Sequence, residues 1–226
     1  MSDHPRGSAG NGRAGPSTGI RTLLVIAKRP VPGRVKTRLI GSCTAGQAAR
    51  LAAAALADTL HALQGFPSAD KVLLLDGDPA GLVPPGWRVL PQAGAGLDQR
   101  LAAGFAAVPD GPAVLVGMDT PQLSAELLCF DPDRYDACLG PATDGGFWSI
   151  GFREPARAPE FIPGVPMSTE VTGAEQHRRL LAGGMAVQSL ATLTDVDTES
   201  SAHTVARAAP QTRFALQWRL IRAGDQ

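Results

Sequence analysis

The stretch Ala113-Val-Leu-Val-Gly-Met-Asp-Thr-Pro121 decides the fold that we predict for this chain. Its first five residues are mostly apolar, which is typical of a buried strand in a parallel sheet. Pro121 has no amide hydrogen to donate and ends the strand. Asp119 therefore stands beyond the carboxyl end of a central strand, where open α/β sheets bind ligands. Its carboxylate could hold a metal ion or a substrate hydroxyl, or it could cap a short helix from about Ser124.

Strands and helices alternate on both sides of this stretch. Further apolar runs indicate strands at residues 22–27, 71–75, 87–90, 135–140 and 185–190. Between the first two runs, Thr44 and Gln47 have the spacing of a capping box at the start of a long amphipathic helix. This alternation predicts a three-layer α/β/α fold with a mostly parallel sheet.

The composition favours one globular domain. The chain has 226 residues, 44% of them hydrophobic, and a formal net charge of +0. A neutral chain gives no support for a nucleic-acid or acidic-membrane partner, and no apolar run approaches transmembrane length. Three cysteines without metal-type spacing favour a reducing cytoplasm. Residues 1–19 lack the apolar segment of a secretory signal and predict a disordered tail, which leaves residues 20–226 as the single domain.

A basic loop follows the first predicted strand. So many positive charges beside a strand's carboxyl end repel one another unless anions lie near. The phosphates of a nucleotide are the natural ligand, because Arg binds them as a fork and Lys as a point charge. A solvated loop without a ligand is the alternative. The basic residues are Lys28, Arg29, Arg34, Lys36 and Arg38.

Two acidic elements in the second half of the chain are further candidates. Asp144-Gly145-Gly146 needs a positive φ or a close approach of the backbone to a ligand, although an ordinary hairpin turn has the same composition. Asp195 and Asp197 point the same way if the chain is extended.

These two aspartates could complete a divalent-metal site with Asp119, since hard cations take carboxylate oxygens. In the alternative interpretation, Asp197 and Thr198 only cap a helix that begins near Glu199.

Other local predictions concern single residues and loops. Asp58 lies late in the first helix, where its charge opposes the macrodipole, so it has either a partner or an exposed position. Residues 92–96 are rich in glycine and are expected to be flexible. Ser168 is expected to cap a helix that runs to about Leu181, and residues 155–166 form either a mobile lid or a packed loop.

Four motifs occur in an order that resembles a known family. They resemble the bacterial arsenosugar-biosynthesis-type glycosyltransferases, which are placed with the GT-A, or nucleotide-diphospho-sugar transferase, fold. The resemblance covers about residues 22–208. The motifs are Lys28-x-Pro-x-Pro-Gly-Arg-x-Lys-Thr-Arg-Leu39, Gly117-x-Asp-x-Pro121, Gly140-Pro-Ala-x-Asp-Gly-Gly146 and Asp195-Val-Asp-Thr198.

Two other groups share parts of this pattern. The Lys-Thr-Arg-Leu and Asp-Gly-Gly elements are similar to those of 2-phospholactate guanylyltransferases. The Asp-Val-Asp-Thr segment is similar to the late metal-binding aspartate of cytidylyltransferases and molybdenum-cofactor guanylyltransferases.

The resemblance implies catalytic roles for Asp119, Asp144 and Asp197. Asp119 and Asp197 would hold Mg²⁺ or Mn²⁺, with Asp195 as a further candidate ligand. Gly145 and Gly146, beside Asp144, would face the acceptor. Lys36 and Arg38 would contact phosphates, and the nucleotide-binding residues would be Lys28, Arg34, Lys36, Arg38 and Arg100.

The chain departs from the family pattern at two places. In Leu97-Asp98-Gln99-Arg100, the charged Asp98 stands where the family tends to have the glycine of Leu-Gly before the arginine. This difference argues against a family-like nucleotide contact by this loop. Gly117 stands where many GT-A glycosyltransferases have a second aspartate.

These features predict a metal-dependent transferase that uses a nucleotide-activated donor, with a nucleotide sugar or a nucleoside triphosphate and a small-molecule acceptor as partners. Sugar transfer is the first interpretation. The alternative is a nucleotidyltransferase that joins a nucleoside triphosphate to a phosphorylated small molecule and releases pyrophosphate. A non-catalytic nucleotide-binding protein is the third. The sequence leaves open the base, the acceptor and the oligomeric state.

Overall fold

The computed structural model describes residues 19–66 and 69–224. The predicted tail therefore lies, apart from Gly19, outside the described residues. The strands are β1 (Thr22–Lys28), β2 (Asp70–Asp76), β3 (Trp87–Pro91), β4 (Ala113–Gly117), β5 (Ala137–Pro141), β6 (Phe147–Phe152) and β7 (Val187–Ser189). The helices are α1 (Ala45–Gln64), α2 (Leu97–Ala106), α3 (Ala158–Phe161), α4 (Thr172–Ala182), α5 (Glu199–Ala208) and α6 (Arg213–Gly224).

The strands form a 7-stranded sheet in the order β3-β2-β1-β4-β6-β5-β7. Strand β6 runs antiparallel to its neighbours β4 and β5, and the other pairings are parallel. The predicted mostly parallel α/β sheet is confirmed. The stretch that decided the prediction, β4, lies at the centre of the sheet, and its residues 113–116 are buried.

Helices cover both faces of the sheet. In β1, Leu23 and Val25 pack on the face that α1 covers, whereas Leu24 packs on the face of α2 and α4. This alternation follows from the two-residue period of a strand. The other face of α1 packs against α5 and α6 through a separate apolar cluster that includes Leu51 and Trp218.

The start of α1 and a polar contact near its end both involve residues singled out in the sequence. Thr44 Oγ1 accepts a hydrogen bond from Gln47 N at 3.2 Å, and Gln47 Oε1 accepts one from Thr44 N at 2.6 Å, which confirms the capping box. Asp58 is buried and has a partner. Its carboxylate accepts hydrogen bonds from Arg213 N at 3.1 Å and Phe214 N at 2.9 Å. Asp58 therefore caps α6, where a helix N-terminus attracts negative charge.

The segment before α4 differs from its prediction. Ser168 adopts a positive φ of 60° and caps no helix, and α4 begins only at Thr172. The reason is a local hydroxyl network: Thr172 Oγ1 donates to Pro166 O at 2.7 Å and accepts from Thr169 N at 3.0 Å. Residues 155–166 are packed but are not a simple loop: they contain a 3₁₀ turn, Pro155–Arg157, and helix α3, and Phe161, Ile162 and Val165 are buried. None of the helices in the described part of the chain is long and apolar enough to cross a membrane.

Candidate active site

A cleft of about 990 Å³ opens at the carboxyl ends of β1 and β4. It brings together almost all of the predicted site residues. Those that line it are Lys28, Arg34, Lys36, Arg38, Arg100, Asp119, Asp144, Gly146, Asp195 and Asp197. Gly145 and, from the basic loop, Arg29 do not line it. A smaller depression of about 630 Å³ around Trp218, between α5 and α6, contains none of these residues.

Lys36 lies at the centre of the charged part of the cleft. Its Nζ lies 2.7 Å from Asp119 Oδ1 and 3.3 Å from Asp197 Oδ1, and its side chain is only 5% exposed. Arg38 Nη1 lies 3.2 Å from the other oxygen of Asp197. Burial disfavours the charge of Lys36, but the two carboxylates outweigh this effect and raise its pKa. Lys36 therefore stays charged and joins the two aspartates.

The local fold directs Lys36 into the cleft. Its backbone has φ 49° and ψ 39°, a left-handed conformation that is costly for a residue other than glycine. Val35 and Leu39 on either side are buried, and a short 3₁₀ turn, Thr37–Leu39, follows. Because these two apolar anchors fix the chain, the conformation of Lys36 persists between them.

A backbone hydrogen bond places the segment that carries Asp197 beside Asp119, although this segment does not directly follow a strand. Val196 N donates to Asp119 O at 2.9 Å, which lays residues 195–197 against the end of β4. Thr198 caps α5 by accepting from Ser201 N at 3.2 Å. Capping thus falls to Thr198, and the carboxylate of Asp197 faces Lys36 and Arg38.

Asp195 is the most perturbed carboxylate of the cleft. Burial and the negative charges of Asp119, Asp144 and Asp197 raise its pKa to about 7, against the lowering effect of Lys36. At Asp195, burial and the neighbouring carboxylates therefore outweigh the attraction of Lys36.

The chemistry of these side chains fits a hard divalent cation, but their placement does not yet form a site. The buried Asp119 Oδ1 accepts no aligned hydrogen bond. However, no three His, Cys, Asp or Glu side chains of the described residues converge on one metal position. The Lys36 ammonium supplies positive charge between Asp119 and Asp197. These two aspartates could hold Mg²⁺ or Mn²⁺ only if Lys36 turned away.

The Asp144-Gly145-Gly146 turn packs closely against the chain. Gly145 has φ 88°, and a Cβ atom there would lie 2.0 Å from Glu170 O. Its carbonyl accepts a hydrogen bond from Gly173 N at 2.8 Å, and Asp144 Oδ1 accepts one from Gly146 N at 2.9 Å. The predicted positive φ is therefore found at Gly145, where the turn contacts the backbone before α4, and Asp144 lines the cleft.

Arg100 is held in place by the loop that we expected to be flexible. Gln92 Nε2 donates to Ala27 O at 2.7 Å and Leu74 O at 3.1 Å, which ties this loop across two strands. Arg100 donates to Gln92 Oε1 at 3.4 Å and to Gly94 O at 3.1 Å. The guanidinium is therefore oriented within the cleft.

Asp98 and Arg29 form hydrogen bonds to backbone groups and do not line the cleft. Asp98, at the departure from the family pattern, accepts from Gly164 N at 2.8 Å through Oδ2 and does not contribute to the cleft lining. Arg29 turns away from the cleft and donates to Asp78 O and Ala80 O.

The sequence missed one wall of the cleft. Its residues come from the segment before α4 and from the first residue of that helix. The sequence indicated a capping role for Ser168 but no site role for any of them, because their position depends on contacts with the Asp144 turn. They are Met167, Ser168, Thr169, Glu170 and Thr172.

Comparison with known proteins gives a family and a fold. Residues 48–169 match the family described as "Uncharacterized protein conserved in bacteria (DUF2064)". The chain belongs to this family. The matched segment includes Asp119 and Asp144 but neither Lys36 nor Asp197. No curated protein matches the chain.

One solved structure is similar over nearly the whole chain. It is that of a protein from Desulfovibrio desulfuricans G20, provisionally assigned as a nucleotide-diphospho-sugar transferase. The identity is 27%, the TM-score is 0.80, and the match covers 91% of this chain and 95% of that one. This likeness supports the expectation of a transferase enzyme.

Two more distant structures share the fold. A CMP:2-keto-3-deoxy-manno-octonic acid synthetase complexed with CTP is 11% identical, with a TM-score of 0.52 over 85% of this chain and 99% of that one. An inositol-1-phosphate CTP transferase from T. maritima is 11% identical, with a TM-score of 0.53 over 85% and 97%. The nucleotide-diphospho-sugar transferase-like fold predicted from the sequence is thus confirmed.

Proposed function

We propose that the protein is a metal-dependent transferase that moves a sugar from a nucleotide sugar to a small-molecule acceptor. The observation that carries this proposal is the meeting of basic and acidic side chains in one cleft, with Lys36 between Asp119 and Asp197. The cleft lies outside the carboxyl ends of parallel strands, where this fold class binds ligands. The transferase assigned in Desulfovibrio desulfuricans G20 has the same fold over almost the same length.

The charges of the cleft suit the departure of a nucleoside diphosphate. When the bond to the sugar breaks, negative charge develops on the leaving phosphates. Arg34 and Arg38 are exposed at the rim of the cleft and can bind phosphate oxygens as they gain charge. The Lys36 ammonium could leave Asp119 and Asp197 and bind a phosphate instead. A divalent ion, when bound by Asp119 and Asp197, would further neutralise the departing group.

A nucleotidyltransferase is the second candidate. The basic residues follow β1 directly, as suits a loop that holds the phosphates of a nucleoside triphosphate. In that reaction an acceptor phosphate would attack the α-phosphorus, and pyrophosphate would leave.

The product released distinguishes these reactions. Purified protein is incubated with nucleoside triphosphates and with nucleotide sugars, with Mg²⁺ or Mn²⁺ and a panel of acceptors. Release of a nucleoside diphosphate supports sugar transfer, whereas pyrophosphate release supports nucleotidyl transfer. Nucleotide binding without either product supports a non-catalytic nucleotide-binding protein.

Two variants test whether the cleft is responsible. Asp119→Asn is expected to abolish most of the product release. Asp110→Asn is the matched control, because Asp110 is exposed and precedes β4 at its opposite end. Equal activity of the two variants would contradict the assignment of the site.

A further inference from the structure

The cleft is divided into a basic half and an acidic half. Strand β4 separates the strands β3, β2 and β1 from the strands β6, β5 and β7. Among the described residues that line the cleft, all Lys and Arg side chains lie at the end of β1, in the loop after it, or on α2, which follows β3. The lining residues of the other half, from the Asp144 turn and residues 167–172, include no Lys, Arg or His.

The wall of this second half is acidic. It joins the Asp144 turn to the segment before α4 through the hydrogen bond from Gly173 N to Gly145 O. Asp144 and Glu170 are its charged residues, and both are exposed at the cleft. A phosphate or carboxylate placed here would meet two negative charges and no cation from the same wall.

The N-terminus of α4 does not offset this charge. A helix N-terminus attracts anions because its first amides lack partners within the helix. Here Thr172 N donates to Thr169 O at 3.2 Å and Gly173 N to Gly145 O at 2.8 Å. Two of the amides that could hold an anion are therefore already bonded to the backbone.

The remaining groups of this wall suit a molecule with hydroxyls and some apolar surface. Phe147 and Met167 provide partly exposed apolar surface, and Thr169, whose hydroxyl pairs with that of Thr172 at 3.2 Å, also lines this wall. The Ser149 hydroxyl, in the same lining, is buried without a hydrogen-bond partner among the described residues. Carboxylates and hydroxyls of this kind accept hydrogen bonds from an alcohol.

We propose that the acceptor is an uncharged molecule that presents a hydroxyl group and carries neither phosphate nor carboxylate. This inference rests on the proposed sugar transfer. The acceptor hydroxyl oxygen forms a bond to the anomeric carbon of the donor sugar, and the bond from that carbon to the phosphate oxygen breaks. The electron pair of that bond leaves with the nucleoside diphosphate. The hydroxyl proton passes to the Asp144 carboxylate and from there to water.

Matched pairs of acceptors test the chemical class. Methyl glucoside and glucose 6-phosphate, and glycerol and glycerol 3-phosphate, are compared with each nucleotide sugar. We expect the uncharged member of at least one pair to raise diphosphate release tenfold or more above donor hydrolysis. The phosphorylated members should give no such rise. Saturation-transfer NMR with the same pairs and a bound nucleoside diphosphate measures acceptor binding without turnover.

A charge reversal tests the acidic wall itself. Glu170→Lys should weaken the response to the uncharged acceptor severalfold and raise binding of its phosphorylated partner. Because Glu170 is exposed, the variant is expected to fold. Glu126→Lys is the matched control, since Glu126 is exposed and does not line the cleft. An identical effect of the two variants would overturn the role of the wall.

The outcomes separate this inference from the proposed function. Diphosphate release that requires a phosphorylated acceptor overturns the acceptor class alone. Pyrophosphate release with a phosphorylated acceptor overturns both. Diphosphate release with an uncharged acceptor supports both.

Discussion

Replacing Asp195 by asparagine should stabilise the protein, and the gain should depend on pH. The pKa of Asp195 is raised from 3.8 to about 7 in the folded protein, mainly by burial and then by Asp119 and Asp144. Between these two pH values the folded state holds a proton that the unfolded chain has lost. The stability of the wild type therefore falls as the pH rises from about 4 to about 7 and stays reduced above that. Asparagine has no charge and avoids this loss.

The size of the gain follows from the pKa shift. A shift of one pKa unit corresponds to about 1.4 kcal/mol, so a rise of about three units sets an upper limit near 4 kcal/mol. Asp195 is only partly buried by surface area, and solvent screens its neighbours. We therefore expect about 1–3 kcal/mol at pH 8, or about 2–10 °C in melting temperature for a chain of this size.

The assay compares wild type, Asp195→Asn and Asp110→Asn by thermal and urea unfolding at pH 5, 6, 7 and 8, with EDTA and without nucleotide. The difference between the Asp195 variant and wild type should grow from pH 5 to pH 8. The exposed Asp110 provides the baseline for the loss of one charge. A difference that stays constant over this range, or a destabilised variant at pH 8, would refute the electrostatic account of the cleft.

Other substitutions test individual contacts. Lys36→Ala should weaken nucleotide binding tenfold or more, since a charged hydrogen bond contributes about 1.5–3 kcal/mol. It should also raise Mn²⁺ affinity of the nucleotide-free protein, as followed by the EPR signal of free Mn²⁺; unchanged values for both ligands would contradict the bridging role. Asp119→Asn and Asp197→Asn should each remove most turnover and most of the thermal stabilisation by Mn²⁺. The double variant should be little worse than either single variant, because the effects of residues that act as one unit are non-additive. Retained Mn²⁺ stabilisation in both single variants would exclude a shared ion. Gly145→Ala should lose more stability and activity than Gly184→Ala. Both glycines have a positive φ, but only at Gly145 would a Cβ atom lie 2.0 Å from a backbone oxygen. Equal losses in circular dichroism melts and in turnover would contradict this.

The sequence predicted the features that depend on local patterns. The capping box at Thr44 needs only a hydroxyl and an amide three residues apart. The central strands are apolar because both faces of a parallel sheet are covered, and so β1 and β4 could be placed from composition. Asp119 follows from the same argument, since it stands where β4 ends.

The features that the sequence did not predict depend on contacts between distant segments. The partner of Asp58 is a helix that begins 155 residues later. Lys36 meets Asp197 over 161 residues, and its left-handed backbone is set by burial of its neighbours rather than by its residue type. Glu170 joins the cleft only because the glycines of the Asp144 turn let two backbones touch.

The distance along the chain between Lys36 and Asp197 has a consequence for protein synthesis. A growing chain acquires Lys36 early and Asp119 midway, and it can form β1, β2, β3 and β4 from what has emerged. The carboxylate of Asp197 and the backbone hydrogen bond from Val196 to Asp119 come only after every helix and strand that precedes α5 has been made. The contacts of Asp197 with Lys36 and Arg38 therefore form only late in synthesis. A product that terminates within α4 would carry the whole DUF2064 segment and yet lack the residue that faces Lys36 and Arg38.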